Sequence, residues 1–391
     1  MKAMHLTFPR RYFIGQGALQ RAVREFPSLG QRAVIVTGQR WARESGTLDR
    51  LIHLLAQENL ETLVLPGIPP NPDRSDINQR AREASAWGPH FFVALGGGSV
   101  MDATKAIALV SREGRDIWDY ITQRPRKVQA YPVVAIATVA ASGSEFDGAA
   151  VINHRALKAK MPLSYPALTP HIAVVDPELQ ASVPPYLTAL GVVDIFCQFL
   201  EPHLLAEAAF APAESLSRTA LRLVVDLGRA VLRHPQDLTL RAELGFLASL
   251  SMSQLGRIGR GGKFSLHWLE HVLSGYYPEI PHPQGLASLL PAYLAFHIAR
   301  RPEAFHDVAI TLLGTAAPQG LVPFLQDWLQ DLGVARNLQS LGVRREDLAP
   351  MARDVVQQYG WEPDGRVAGP VPMGEAEILA IYTAAFEGGT P

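Results

Sequence analysis

The stretch "HFFVALGGGSVMDATKAIAL", residues 90–109, decides the fold. A continuous apolar run leads into Gly96, Gly97 and Gly98, and a helical pattern begins near Ser99. An apolar run without alternation, closed by a glycine turn, reads as a strand buried on both faces. Glycine permits positive φ and close approach of backbone to a ligand. The first turn of the following helix aims free N–H groups and the positive end of its dipole into the same space. Strand, glycine loop and helix therefore read as a cradle for a pyrophosphate, with a loose turn as the plainer alternative. The spacing is not GxGxxG, so the ordinary dinucleotide fingerprint is absent.

Outward from this unit the same alternation repeats. "RAVIVTG" (32–38) reads as a buried strand and "TLDRLIHLLAQEN" as a helix. "ETLVLPG" (61–67) is a second strand, ended by the "IPPNPD" turn, and a helix through "DINQRAREASAW" follows. "YPVVAIAT" (131–138) is a further strand. Alternating buried strands and helices predict an α/β domain with a doubly wound parallel sheet. From about residue 185 the texture changes: "AESLSRTALRLVVDLGRAVLRHP", "LRAELGFLASLSMSQLGRIG" and "PFLQDWLQDLGV" carry apolar residues at helical spacing. Pro184 and Pro185 stop the preceding element, which places a boundary between an α/β domain over 1–183 and an all-helical domain over 184–391. Ligands of such two-part proteins commonly occupy the cleft between the halves.

Bulk properties narrow the function. The chain has 391 residues, 48% hydrophobic and 19% charged, which suits a packed globular enzyme of two or three domains. Lys plus Arg (36) nearly cancels Asp plus Glu (37), so neither nucleic acid nor an anionic membrane is an expected partner. Cys197 is the single cysteine, which excludes an internal disulfide and suits a reducing cytoplasm. Arg10 and Arg11 interrupt the N-terminal apolar stretch, so no signal peptide is expected, and no run is read as a membrane span.

Two other strand ends carry candidate nucleotide contacts. "IATVAASGSEFDGAAVI" leaves its strand for a loop rich in hydroxyls, in which Thr138, Ser142 and Ser144 are potential donors to phosphate or ribose. A plain turn explains it equally. At the end of the first strand, Gly38 stands where dinucleotide folds often place an acid for the ribose 2′-hydroxyl. The missing carboxylate and nearby Arg40 favour a 2′-phosphate, hence NADP over NAD, although Arg40 also fits a solvated surface role.

The helical half concentrates the remaining chemistry. Asp194 and Gln198 lie four apart on one face of the apolar helix "GVVDIFCQFL". A carboxylate there needs a cationic partner or must lose its charge. "GGKFSLHWLEHVLSGYYPEIPHPQG" (261–285) holds His267 and His271 at the same spacing, and His282 follows a turn. A metal would explain the gathering; three core histidines bonded to backbone would explain it as well.

Taken together, "GGGSVMDATK", "ATVAASGSE", "VVDPEL", "GVVDIFCQFLE" and "HWLEHVLSGYYPEIPH" resemble the iron-dependent, type III alcohol dehydrogenase family. The resemblance is strongest to its NADPH-dependent butanol dehydrogenase and aldehyde reductase branch. It extends from "RRYFIGQGAL" to "ILAIYTAAF", nearly the whole chain. It implies a dehydroquinate synthase-like fold and an NADP- or NAD-linked alcohol dehydrogenase or aldehyde reductase, assembled as a homodimer or larger. A divalent metal, iron or zinc, would be held by Asp194, His267 and His282, with Gln198 standing where the family has a histidine ligand. His271 would line the cleft near the nicotinamide. The cofactor positions would be Asn71, Gly97, Gly98, Ser99, Thr138, Ser142 and Lys160, with Lys158 competing for the role of Lys160. Asp102 and Lys105 belong to the same signature; a place for Asp102 in the first helical turn, serving only the dipole, is the alternative.

Gln198 is the departure, because an amide oxygen is a weaker ligand than imidazole for iron or zinc. Three outcomes follow. Asp194, His267 and His282 hold zinc with an open fourth position; Gln198 completes a weaker oxygen-rich site; or the metal is lost. "YYPEIPH" is also one residue longer than the family's turn. With the metal present, a polarised carbonyl accepts hydride from the nicotinamide. His271 then serves as a proton relay or as an orienting hydrogen-bonder. Trp268, Tyr276 and Tyr277 suggest an apolar pocket or ordinary core. Competing readings are a zinc enzyme of the glycerol dehydrogenase or dehydroquinate synthase type, and a non-catalytic relative.

Overall fold

The computed structural model describes residues 3–389. Its described chain divides into two compact units, one built from residues 6–184 and 234–253, the other mainly from 185–233 and 254–389. The 234–253 segment, which a single cut at 183/184 assigns to the helical half, packs instead with the first unit.

The first unit is built on eight strands: β1 (Arg11–Ile14), β2 (Arg32–Gly38), β3 (Glu61–Ile68), β4 (Phe91–Gly96), β5 (Val133–Ala137), β6 (Ala149–His154), β7 (Ala159–Ser164) and β8 (Ile172–Val175). Six form one sheet in the order β1-β8-β5-β4-β2-β3, and every pairing in it is parallel. The apolar runs face two cores by alternation. Phe92 and Ala94 of β4 join Val34, Val36 and Ala135 on one face, whereas Phe91, Val93 and Leu95 join Ala33, Ile35 and Val134 on the other. A sheet covered on both faces needs strands without a polar side, which is why these runs show no alternation in sequence. Burying each valine, isoleucine or phenylalanine side chain contributes ~1.5–3 kcal/mol relative to exposure.

Four strands were not anticipated. β1 and β8 have four residues each, too short to give a pattern. β6 and β7 form a separate antiparallel hairpin.

The helix Leu238–Met252 is tied into this unit by a buried chain of hydroxyls: Tyr12 Oη donates to Ser249 Oγ at 3.0 Å, and Ser249 Oγ donates to Glu145 Oε1 at 2.5 Å. Burial raises the Glu145 pKa.

The second unit is helical. Pro185 opens the helix Pro185–Leu204, a position where its missing N–H costs nothing. This helix is long and apolar enough to cross a bilayer by length and composition, contrary to the expectation of none. It is a core helix, however, with 89% of its apolar window buried inside the protein. It packs against Ala211–Arg233 and His282–Arg300, while Leu266–Tyr276 packs against His282–Arg300 and Leu348–Tyr359, and Glu375–Glu387 against His282–Arg300 and Leu348–Tyr359.

Candidate metal centre and nucleotide cradle

Three helices of the second unit supply the metal candidates. Asp194 sits midway along Pro185–Leu204, His267 is the second residue of Leu266–Tyr276, and His282 is the first residue of His282–Arg300. Asp194 Oδ1 lies 3.7 Å from His267 Nε2 and 4.0 Å from His282 Nε2. One ligand atom from each residue lies within 4.8 Å of the other two. The imidazoles of His267 and His282 stand 5.3 Å apart, centroid to centroid.

Both imidazoles are aimed by buried carboxylates. Glu201, seven residues after Asp194 on the same helix, is fully buried and binds Nδ1 of His267 through Oε1. Its Oε2 accepts the backbone N–H of Ser265 at 2.6 Å and of His267 at 3.2 Å. The carboxylate thus caps the N-terminus of Leu266–Tyr276, where the dipole favours negative charge, and orients the histidine with its other oxygen. Glu270, also fully buried, does the same for His282 Nδ1 and accepts from Ser274 Oγ. Gly285 makes that approach possible: a Cβ there would come within 2.8 Å of Glu270 Cγ and 2.9 Å of its Oε1.

A histidine whose Nδ1–H is bound to a carboxylate presents the lone pair of Nε2, the form a metal requires. Both Nε2 atoms and Asp194 Oδ1 face a common point. Ligand distances near 2.1 Å in a tetrahedron imply ligand–ligand edges of about 3.4 Å. The observed separations exceed that by a few tenths of an ångström. Three buried carboxylates, Asp194, Glu201 and Glu270, crowd three imidazoles, and a divalent cation offsets that negative charge. Burial alone would lower the pKa of His267, but Glu201 and Asp194 carry it up to about 9. The site thus attracts positive charge, and its donor set fits a divalent cation.

Gln198 is buried beside them, and its Nε2 donates to Asp194 Oδ1 at 2.9 Å. In this arrangement the glutamine holds the carboxylate in place through its amide N–H. His271 lies on the same helix as His267, with its ring 6.4 Å from His267 and 5.5 Å from His282. A second grouping of ligand atoms joins Glu270, His271 and His282. Trp268 stacks on Tyr359, whereas Tyr276 and Tyr277 tie their hydroxyls to Asp354 and Asp347.

The nucleotide candidates belong to the first unit. Gly97 caps the helix Gly98–Glu113, which begins as β4 ends. A Cβ at Gly98 would meet Ser142 Oγ at 2.5 Å and its Cβ at 2.8 Å, so any side chain there displaces Ser142. Ser99 follows in the same turn, and Thr138, at the end of β5, donates its N–H to Gly96 O at 3.1 Å. Gly38 ends β2, where a Cβ would be 3.7 Å from Val100, and Arg40 is exposed two residues later. Asn71 adopts φ 53° in the turn before Arg74–Trp87. The neighbouring Pro72 O accepts from Asn153 N, and Asn153 pairs with Lys160 across the hairpin. The structure therefore gathers Gly97, Gly98, Thr138 and Ser142 in one place, and sets Asn71 and Lys160 near each other on the β6–β7 side.

Asp102 is the fifth residue of its helix, beyond the first turn, so the dipole role does not apply. Its Oδ1 accepts from Ser144 Oγ at 2.7 Å and its Oδ2 from Val151 N at 2.9 Å. Burial pushes its pKa up to about 6, against the pull of nearby Lys105. Lys105, fully buried, donates to Ser144 Oγ, Asp147 Oδ1 and Ala149 O at 2.8–2.9 Å. Together these groups clamp the 142–147 loop and the hairpin to the glycine-loop helix. Asp102 thus acts on the loops that carry the candidate donors.

Sequence reasoning missed Glu201, Glu270, Tyr359 and Asp147, the ion-pair partner of the signature residue Lys105. Two signals were present. Glu201 continues the 194, 198 face at the next helical step, and Glu270 interrupts the apolar "HWLEHVL".

Comparison with known proteins places the chain in a family. Residues 9–177 match the family model described as iron-containing alcohol dehydrogenase. Residues 188–386 match that of the Fe-containing alcohol dehydrogenase family, C-terminal. NADH-dependent butanol dehydrogenase B of Clostridium acetobutylicum is 27% identical over 385 residues, covering 96% of this chain and 97% of that one. Long-chain-alcohol dehydrogenase 1 of Geobacillus thermodenitrificans is 26% identical over 401 residues, covering 99% and 98%. Among solved structures, NADH-dependent butanol dehydrogenase A of Thermotoga maritima superposes with a TM-score of 0.91 at 24% identity, covering 98% of each chain. That match shows the dehydroquinate synthase-like fold. Because the two family models together span nearly the whole of both units, the chain belongs to the iron-containing alcohol dehydrogenase family and is a nicotinamide-linked alcohol and aldehyde oxidoreductase.

Proposed function

We propose that this enzyme interconverts an aldehyde and its alcohol at a divalent cation held by Asp194, His267 and His282, with NADP(H) as its hydride carrier. The observation that carries the reading is the convergence of one carboxylate oxygen and two Nε2 atoms, each imidazole fixed from behind by a buried glutamate. A bound cation supplies Lewis-acid polarisation of the substrate oxygen. Two imidazoles and one carboxylate suit either zinc or ferrous iron. Gln198 positions Asp194 through its amide N–H, and Glu201 and Glu270 keep the ligand lone pairs directed inward. His271, beside the donors, is the group that meets the substrate oxygen.

Gly97, Gly98, Ser99, Thr138 and Ser142 take the dinucleotide phosphates, while Asn71 and Lys160 serve the ribose side. Gly38 presents no acid to a ribose 2′-hydroxyl, and exposed Arg40 is free to meet a 2′-phosphate. The relatives named as NADH-dependent supply the second reading, NADH, and KM values for the two cofactors separate them. The same relatives support a primary alcohol such as butanol as substrate. The resemblance to the family also supports a cytoplasmic homodimer.

The test is metal content and aldehyde reduction in His267→Ala and His282→Ala. Both quantities fall together in each variant if the reading holds. Normal turnover by both variants would eliminate it.

A further inference from the structure

The three histidines of residues 261–285 are held in two different ways. His267 and His282 rest Nδ1 on the carboxylates of Glu201 and Glu270. An ionised carboxylate only accepts, so each of these rings keeps a hydrogen on Nδ1, and Nε2 is the nitrogen that carries the lone pair when the ring is neutral. His271 is different: its Nδ1 lies 3.2 Å from the hydroxyl of Tyr359, the last residue of the helix Leu348–Tyr359. Both residues are buried, His271 at 4% exposure and Tyr359 at 1%.

A phenol hydroxyl is a good donor, while its oxygen lone pairs are drawn into the ring. One face of Tyr359 is covered by Trp268, nearly coplanar at 5° with centroids 4.7 Å apart, and Trp361 packs against it at 5.4 Å. These rings hold the phenol in one orientation, with its oxygen at His271. Burial, with the charge of Glu270 added, keeps the hydroxyl protonated well beyond the ordinary range of a tyrosine. The hydroxyl hydrogen is therefore present, and the nitrogen it faces is able to accept it.

We propose that Tyr359 sets the tautomer of His271, donating to Nδ1 so that the ring bears its hydrogen on Nε2 and acts as a hydrogen-bond donor, not as a cation ligand. An imidazole with hydrogen on Nε2 has no lone pair there for a metal. This separates His271 from His267 and His282 although all three share one pocket. It also makes His271 a neutral donor toward an oxygen that gains negative charge, and the proton that completes the alcohol then comes from elsewhere. A neutral ring giving up its only N–H hydrogen would require Tyr359 to become a buried tyrosinate beside Glu270. Tyr359 is a positioning residue in this scheme, and Trp268 holds it in place.

The inference rests on the functional reading above, but its test does not depend on turnover. Histidine side chains labelled with ¹⁵N would be observed by long-range ¹H–¹⁵N correlation in the full-length enzyme, both metal-free and exchanged with zinc. His271→Gln identifies the His271 signals by their loss. The expected pattern is protonated Nε2 with Nδ1 as acceptor, in both forms. In Tyr359→Phe, which keeps the ring stack, that preference is lost, and kcat falls by ~10-fold or more with KM for aldehyde little changed. His271 found protonated on Nδ1 in the unsubstituted enzyme would overturn the proposal, whether or not Tyr359→Phe folds. An unchanged tautomer in a folded Tyr359→Phe would overturn it as well. Loss of metal binding in the parent enzyme would count instead against the functional reading, leaving the tautomer measurement intact.

Discussion

Replacing Glu201 with glutamine tests the centre through a residue that touches no substrate. The carboxylate receives three donors: Ser265 N at 2.6 Å and His267 N at 3.2 Å on one oxygen, and His267 Nδ1 on the other. Glutamine has the same shape but replaces one acceptor with an NH₂ group. In either amide orientation a donor now faces a donor, within a residue of zero exposure. If the NH₂ meets His267, the Nδ1–H is left unsatisfied or the ring changes tautomer and turns its hydrogen toward Asp194. If it meets the backbone, the first turn of Leu266–Tyr276 loses its cap. An unsatisfied buried donor costs ~1–3 kcal/mol. Loss of a carboxylate behind a metal-bound histidine typically weakens metal binding by ~10–100-fold, or about 1.4–2.7 kcal/mol. The two routes agree in size. Competition for zinc against a chromophoric chelator reads the dissociation constant, and thermal melting verifies folding. A folded Glu201→Gln variant that binds zinc within about threefold of the parent, against the ~10–100-fold expected, would refute the reasoning.

Other perturbations follow from the same contacts. Lys105→Met strands buried Asp147 and should lower the unfolding free energy by ~3–5 kcal/mol in denaturant titrations. Gly98→Ala places a methyl 2.5 Å from Ser142 Oγ. At ~1–3 kcal/mol of overpacking, the KM for the dinucleotide should rise by ~5–100-fold, measured by steady-state kinetics. His267 is raised to about 9 by Glu201 and Asp194 against burial, so below that pH its proton competes with the cation. Metal affinity should therefore rise ~10-fold per pH unit between about 6 and about 9, and chelator competition across that window checks the slope. Gln198→His, by contrast, replaces the amide donor to Asp194 with an imidazole. Elemental analysis should then show more iron or zinc retained, and unchanged stoichiometry would count against a role for position 198 in the centre.

Much of this was legible along the chain because it depends on neighbours in sequence. β2, β4 and β5 announce themselves as unbroken apolar runs, since a strand covered on both faces has no polar side. The glycine loop is readable because Gly96–Gly98 stand between a strand and a helix, where local geometry demands small residues. The spacing of four between Asp194 and Gln198, and between His267 and His271, sets each pair on one helix face by helical geometry alone.

The tertiary structure decided whatever depends on residues distant in the chain. Leu238–Met252 has an ordinary helical pattern, but its membership in the α/β unit is set by Tyr12, Glu145 and the close approach of Gly245 to Val175. Which histidine nitrogen faces inward depends on Glu201, 66 residues before His267, and on Tyr359, 88 residues after His271. Local periodicity fixes the direction of a side chain, whereas a hydrogen bond between distant helices fixes its protonation form. The sequence alone therefore determined that imidazoles and a carboxylate occupy particular helix faces. Only the packing of those helices decided which of them present a lone pair and which a hydrogen.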